Sequence, residues 1–181
     1  MRAAVALILR EANAGIEILF IRRAEDPRDP WSGQMAFPGG RAEPGDGDLR
    51  ATAVRETLEE IGFDLAASAQ ELGALDEVRA MARMQPMDLV ISPFVFRVHG
   101  SVEVRPSAEV RSVHWLLLED LLGPRFRSSL RYPHDGSTLE FPCLRVEALV
   151  IWGLTYRMFT GFGERLAAAH GGDAATRGRT R

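Results

Sequence analysis

"RETLEEIG", residues 55–62, packs three glutamates into five positions. Asp48 is a fitting N-cap, 49–61 has the spacing of a helix, and Gly62 stands where a helix-ending left-handed residue is expected. At 100° per residue, Ala51, Val54, Leu58 and Ile61 share one side, the expected core face. Glu56, Glu59 and Glu60 fall on the other side, within an arc of about 100°. Glu56 repels both Glu59 and Glu60, at roughly 0.2–0.5 kcal/mol per pair. Only Arg55, four residues before Glu59, compensates locally. Two readings stand. One is a solvated acidic face. The other is a site for a hard divalent cation such as Mg²⁺, completed by water and substrate phosphate. The Gly39-Gly40 turn and the acidic loop just upstream favour the second.

The rest of the chain supplies alternating strands and a final helix. "AAVALIL" (3–9) and "IEILFIR" (16–22), separated by "NAG", predict a hairpin. "RAEDPRDPWSG" is a loop, and "QMAFPGGR" a short strand running into the Gly-Gly turn. "ELGALDEVRA" and "VISPFVFRV" are extended, with Pro93 expected at a strand start or edge. Residues 109–118 predict a strand, "LEDLL" a short helix, 124–137 a long loop, and "STLEFPCLRVEA" one more hairpin. The last helix is expected over 151–169, with Thr155, Met158, Phe159, Phe162 and Leu166 as its apolar stripe. Gly161 and Gly163 inside it point to a kink or close packing. Residues 1–170 form one expected domain and 171–181 a disordered tail.

Composition prunes the chemistry. All 22 basic residues are arginine, which excludes a Walker-A lysine, a Schiff-base lysine and a Ser-Lys dyad. A net charge of −3 argues against coating a nucleic-acid polymer. Cys143, the single cysteine, makes no internal disulfide and suits a reducing compartment, so a cytoplasmic location is expected. No apolar run approaches the ~18 residues that span a bilayer.

The segment "GGRAEPGDGDLRATAVRETLEEIGF" resembles the Nudix box. The match runs through Gly40, Asp46, Arg55, Glu56, Glu59, Glu60, Gly62 and Phe63. Asp46 stands for the usual first glutamate, one extra residue separates it from Arg55, and Thr57 fills a usually apolar position. Upstream, Gly33, Gln34, Phe37, Pro38, Gly39 and Gly40 are similar to the Gly-Gln-x-x-Phe-Pro-Gly-Gly run of Nudix coenzyme A pyrophosphatases, with Trp31 where that branch has histidine.

The resemblance implies an α/β/α sandwich with a mixed central sheet between the box helix and the C-terminal helix. It implies a pyrophosphohydrolase of nucleoside diphosphate derivatives that uses Mg²⁺ or Mn²⁺, held by Glu56, Glu59, Glu60 and the Gly40 carbonyl. Coenzyme A or acyl-CoA is the first expected substrate. ADP-ribose, dinucleotide polyphosphates and oxidised nucleotides are alternatives, and so is a non-catalytic nucleotide-sensing module. Arg55 is expected to orient a box glutamate, and Glu56 or Glu109 to act as base. Arg22, Arg23 and Arg41 are candidate phosphate ligands, and Trp31 a stacking residue. Each also has a bland reading: a surface arginine, an exposed acid, a packed tryptophan. Members of the family are often homodimers, which makes a dimer an expectation here.

Overall fold

In the computed structural model, which describes residues 1–82, 85–100 and 102–177, strand β1 (Arg2–Ala12) is the spine. Ala3, Val5, Leu7 and Leu9 are buried on one side of it and Ala4, Ala6 and Ile8 on the other. A strand apolar on both faces needs a covering layer on each. The chain continues through β2 (Gly15–Arg23), β3 (Met35–Ala36), β4 (Gly39–Arg41), helix α1 (Leu49–Ile61) and the single-turn α2 (Leu65–Ser68). Strands β5 (Ala69–Ala74), β6 (Val78–Ala82), β7 (Gln85–Val98) and β8 (Val110–Leu117) follow. Helix α3 (Leu118–Leu122), strands β9 (Arg127–His134), β10 (Ser137–Val146) and β11 (Leu149–Trp152), and helix α4 (Gly153–Arg177) complete it.

Strand β1 pairs antiparallel with β2 and β4 and parallel with β7, so the main sheet is mixed. Its order is β3-β2-β1-β7-β5, with β8 on β2 and β6 on β7. Helix α1 closes one face through Ala53 and Ile61. Helix α4 closes the other through Met158, Phe159 and Phe162. The architecture is the expected sheet between two helical layers. A second sheet, β11-β10-β9, sets Leu144 and Ile151 against the α4-side core. Among the described residues, no helix is long and apolar enough to cross a membrane.

Four local expectations are corrected. Gly39-Gly40 is not a turn but strand β4, opposite Val5 and Ala4. A Cβ on Gly39 (φ +150°) would overlap the Ala4 carbonyl, so glycine is what lets this strand lie against β1. Pro93 sits inside β7, not at its start. It lies where the antiparallel partner changes from β5, at Phe94, to β6, at Ile91, and its carbonyl accepts from Leu75 N at 2.9 Å. The expected loop 124–137 contains β9, which forms a hairpin with β10. Asp135 and Gly136 both have positive φ (46° and 74°), the backbone of a type I′ turn that suits two twisted strands. Helix α4 begins at Gly153, because Ile151 and Trp152 belong to β11, and it continues to Arg177, past the expected end. The last four positions of the expected tail lie outside the described residues. The stripe Thr155, Met158, Phe159 and Phe162 is buried as expected, and a Cβ on Gly163 would come within 2.8 Å of Leu122 Cδ2, so that glycine marks close packing.

Candidate functional site

Helix α1 has the predicted ends. The Asp48 carboxylate accepts from Ala51 N at 2.7 Å, and Gly62 closes the helix at φ +67°. Its rotation is not the predicted one. Thr52, Ala53, Thr57, Glu60 and Ile61 are buried, whereas Leu58 is 49% exposed. Polar groups occupy the core face because each has a partner there. Thr57 donates to the Ala53 carbonyl at 2.7 Å. Glu60 Oε2 accepts from Gly39 N at 2.8 Å, and Arg23 Nη1 approaches its other oxygen at 3.7 Å. The three glutamates therefore do not share one environment. Glu60 is buried, Glu56 is half-buried and Glu59 is exposed.

Glu56 and Glu60 open into a cavity of about 410 Å³ between β4, α1 and the start of α4. Arg23, Arg41, Gly40, Trp31 and Glu109 line it as well. A Cβ on Gly40 would collide with the Glu56 carboxylate, so the bare strand backbone admits that side chain. Glu109 enters from the loop before β8, which is tied to the β2 end by Ala24 N donating to the Glu109 carbonyl at 2.8 Å. Burial pushes the Glu60 carboxyl up to about 7. The Gly39 N–H and Arg23 oppose that rise, while Glu56 and Glu109 add to it. Burial likewise raises Glu56, opposed by Arg55 and aided by Glu59 and Glu109. Three carboxylates thus act on one another across one cavity.

Arg55 lies on the outer flank and holds several groups at once. It binds Asp46 through Nε at 2.9 Å, Glu56 at 3.1 Å, Glu59 at 3.0 Å and the Arg41 carbonyl at 3.0 Å. Pairing with Arg55 holds the Asp46 carboxyl well below its usual range, and Asp46 in turn raises the guanidinium. Arg55 fixes the box loop to the helix and keeps Glu59 on the outside.

The remaining candidates separate. Arg23 lines the cavity and is held by Asp29 at 2.7 Å, a loop residue with no motif or periodicity to mark it. Arg41 is exposed at the rim. Arg22 does not line the cavity. Its Nε donates to the Gly33 carbonyl at 3.3 Å, which braces the loop. Trp31 packs against the core and donates through Nε1 to the Met81 carbonyl at 3.2 Å.

The donor set suits a hard divalent cation. Its groups are carboxylate oxygens, those of Glu56 and Glu60 raised first by burial and further by neighbouring carboxylates, beside a strand whose glycine leaves room. Among the described residues no three Asp, Glu, His or Cys side chains converge at ligand distance. Mg²⁺ is usually held by one or two carboxylates with water and substrate phosphate, not by a protein cage. Glu56 and Glu60 meet that requirement.

The NUDIX domain family model matches residues 1–135, which include this helix, the cavity glycines and Glu109. The chain belongs to the Nudix domain family. A probable nudix hydrolase of Schizosaccharomyces pombe is 29% identical over 154 residues, 84% of this chain and 52% of the relative. The Nudix hydrolase NudL of Yersinia enterocolitica is 35% identical over 138 residues, 76% of this chain and 68% of the relative. The chain spans about half or less of the length of the S. pombe relatives it matches. Among solved structures, a Caenorhabditis elegans Ap4A hydrolase complex superposes with a TM-score of 0.56 at 23% identity, covering 67% of this chain and 82% of that one. The Nudix domain of Shewanella oneidensis NrtR, complexed with ADP ribose, gives 0.52 at 18% identity, covering 67% and 75%. At those identities the likeness is one of fold, and this Nudix domain has the same mixed sheet and flanking helices.

Proposed function

We propose that this Nudix domain is a divalent-cation-dependent pyrophosphohydrolase of nucleoside diphosphates linked to a second group. The observation that carries the proposal is that Glu56, Glu60 and Glu109 line one cavity together with Arg23 and Arg41. Glu56, Glu60 and the Gly40 carbonyl would hold Mg²⁺ or Mn²⁺, with Glu59 at the outer edge. The bound cation supplies Lewis-acid polarisation of a phosphoryl oxygen and a more acidic water.

The chain's own residues do the rest. Arg23 and Arg41 bind the diphosphate by charge and hydrogen bonds. Arg55 positions Glu56 and is a positioning residue rather than a reacting one. Water attacks one phosphorus, the bridging P–O bond breaks, and the water proton passes to a carboxylate. Glu109 serves as that base because it approaches from the opposite loop and is free of Arg55; Glu56 is the second candidate. The two products leave as phosphate monoesters.

Coenzyme A or acyl-CoA is the first substrate to test, on the run Gly33 to Gly40. ADP-ribose and Ap4A stand beside it because Nudix proteins of the same fold bind or cleave them. The experiment is a panel of the three with Mg²⁺ and Mn²⁺, with products separated by chromatography. Release of 3',5'-ADP and 4'-phosphopantetheine from coenzyme A is the expected result. Turnover of ADP-ribose alone would remove the coenzyme A assignment, and turnover of no diphosphate would remove the activity.

A further inference from the structure

A second cavity, about 220 Å³, opens beside the acidic one, and Trp31 and Gln34 line both. Its far wall is the β9-β10-β11 sheet. Strand register explains the wall. Tyr132 pairs with Leu139, two residues from Phe141, and Trp152 pairs with Cys143, two residues beyond Phe141. Side chains two apart share a face, so Tyr132, Phe141 and Trp152 stand together. Tyr132 and Trp152 are 5.5 Å apart between ring centroids, Phe141 and Trp152 6.0 Å, and Tyr132 and Phe141 6.3 Å. All three rings are half-buried, while the opposite face of the same sheet is closed in the core through Leu144 and Ile151. Arg157, exposed at the start of α4, completes the lining with a guanidinium.

We propose that this aromatic cavity is the nucleobase subsite of the proposed hydrolase. A flat π-face at one end and carboxylates with arginines at the other match the two ends of a nucleoside diphosphate. Aromatic rings accept any base by stacking, whereas Gln34 and Arg157 offer hydrogen-bond donors to ring nitrogens at its edge. A flexible aliphatic arm would make no special use of three rings that converge on one face. Phe141 and Trp152 lie beyond the span that the family model matches, and Tyr132 lies just inside its end. The inference rests on the proposed activity for its substrate, but binding tests it separately.

The test measures binding of AMP, ribose 5-phosphate and 4'-phosphopantetheine by calorimetry, followed by steady-state kinetics on the best diphosphate of the panel. Wild type is expected to bind AMP more tightly than ribose 5-phosphate by roughly 5- to 150-fold, the range one base–aromatic stack provides. Trp152→Ala and Tyr132→Ala lose most of that preference and raise KM while leaving kcat within about threefold. Trp152→Phe, which keeps a ring, retains most of it, and thermal melts of each variant exclude unfolding. Equal binding of AMP and ribose 5-phosphate by wild type overturns the subsite. So does an unchanged AMP preference in both alanine variants, or a loss confined to 4'-phosphopantetheine. If no diphosphate is cleaved yet the AMP preference exists and disappears in the alanine variants, the subsite stands and the hydrolase reading falls.

Discussion

The two cavities meet at Trp31 and Gln34 but are built on opposite physical plans. The acidic one is held by charge and backbone: Glu60 on Gly39 N–H, Glu56 against the bare Gly40, and both raised chiefly by burial, with neighbouring carboxylates adding to it. The aromatic one is held by strand register and ring packing, with the Arg157 guanidinium at its edge. The first carries the cost of burying carboxylates close to one another. The second offers area and shape with little electrostatic strain. Changes at the first should alter the chemical step, and changes at the second should alter affinity.

The sharpest way to break that contrast is Glu60→Gln. It should lower kcat roughly 10²- to 10⁴-fold, the scale of losing a group that works on the reacting water or its cation. Glu56→Gln should fall in the same range. A change in KM alone for either would erase the distinction between the two cavities. Glu59→Gln should cost less, roughly 10- to 100-fold, because its side chain stands outside with Arg55. Equal losses at positions 59 and 60 would place Glu59 inside the working set instead.

The Glu60 carboxyl is raised to about 7 from an ordinary 4.5, so the folded state holds its proton more tightly than the unfolded chain does. Its ionisation penalty is absent below the ordinary range and grows as pH rises toward 7, at up to ~1.4 kcal/mol per unit of pH. In the presence of a chelator, Glu60→Gln should match wild type in stability near pH 4.5. It should exceed wild type by about 1–3 kcal/mol at pH 8 by the same linkage. Denaturant melts at both pH values measure it, and no difference at pH 8 would mean the charge is stabilised in some other way. The smallest effect belongs to the scaffold. Asp48→Ala removes the cap on Ala51 N and should cost about 1 kcal/mol without altering KM.

The sequence was legible where the signal is local. Asp48 and Gly62 mark the ends of α1 because capping acts within three or four residues. The buried face of that helix differs from the one apolar spacing predicts because Thr57 and Glu60, polar by type, are satisfied inside. Their partners are the backbone itself: Ala53 one turn back, and Gly39, 21 residues away. Strand β9 hid behind Pro133 and Gly136, which look like a loop until Asp135-Gly136 is taken as a hairpin turn. Tyr132, Phe141 and Trp152 have no periodicity in the chain; only the pairing of three strands gathers them.

That pairing gives the β9–β10 hairpin a parity. One residue added between Tyr132 and Pro133 would turn the side chains of β9 up to Tyr132 to the other side, taking the tyrosine out of the pocket while Phe141 and Trp152 stay. Two residues added there would return it. Length changes among relatives of this chain should therefore retune ligand choice by odd steps and conserve it by even ones, with the acidic centre untouched by either.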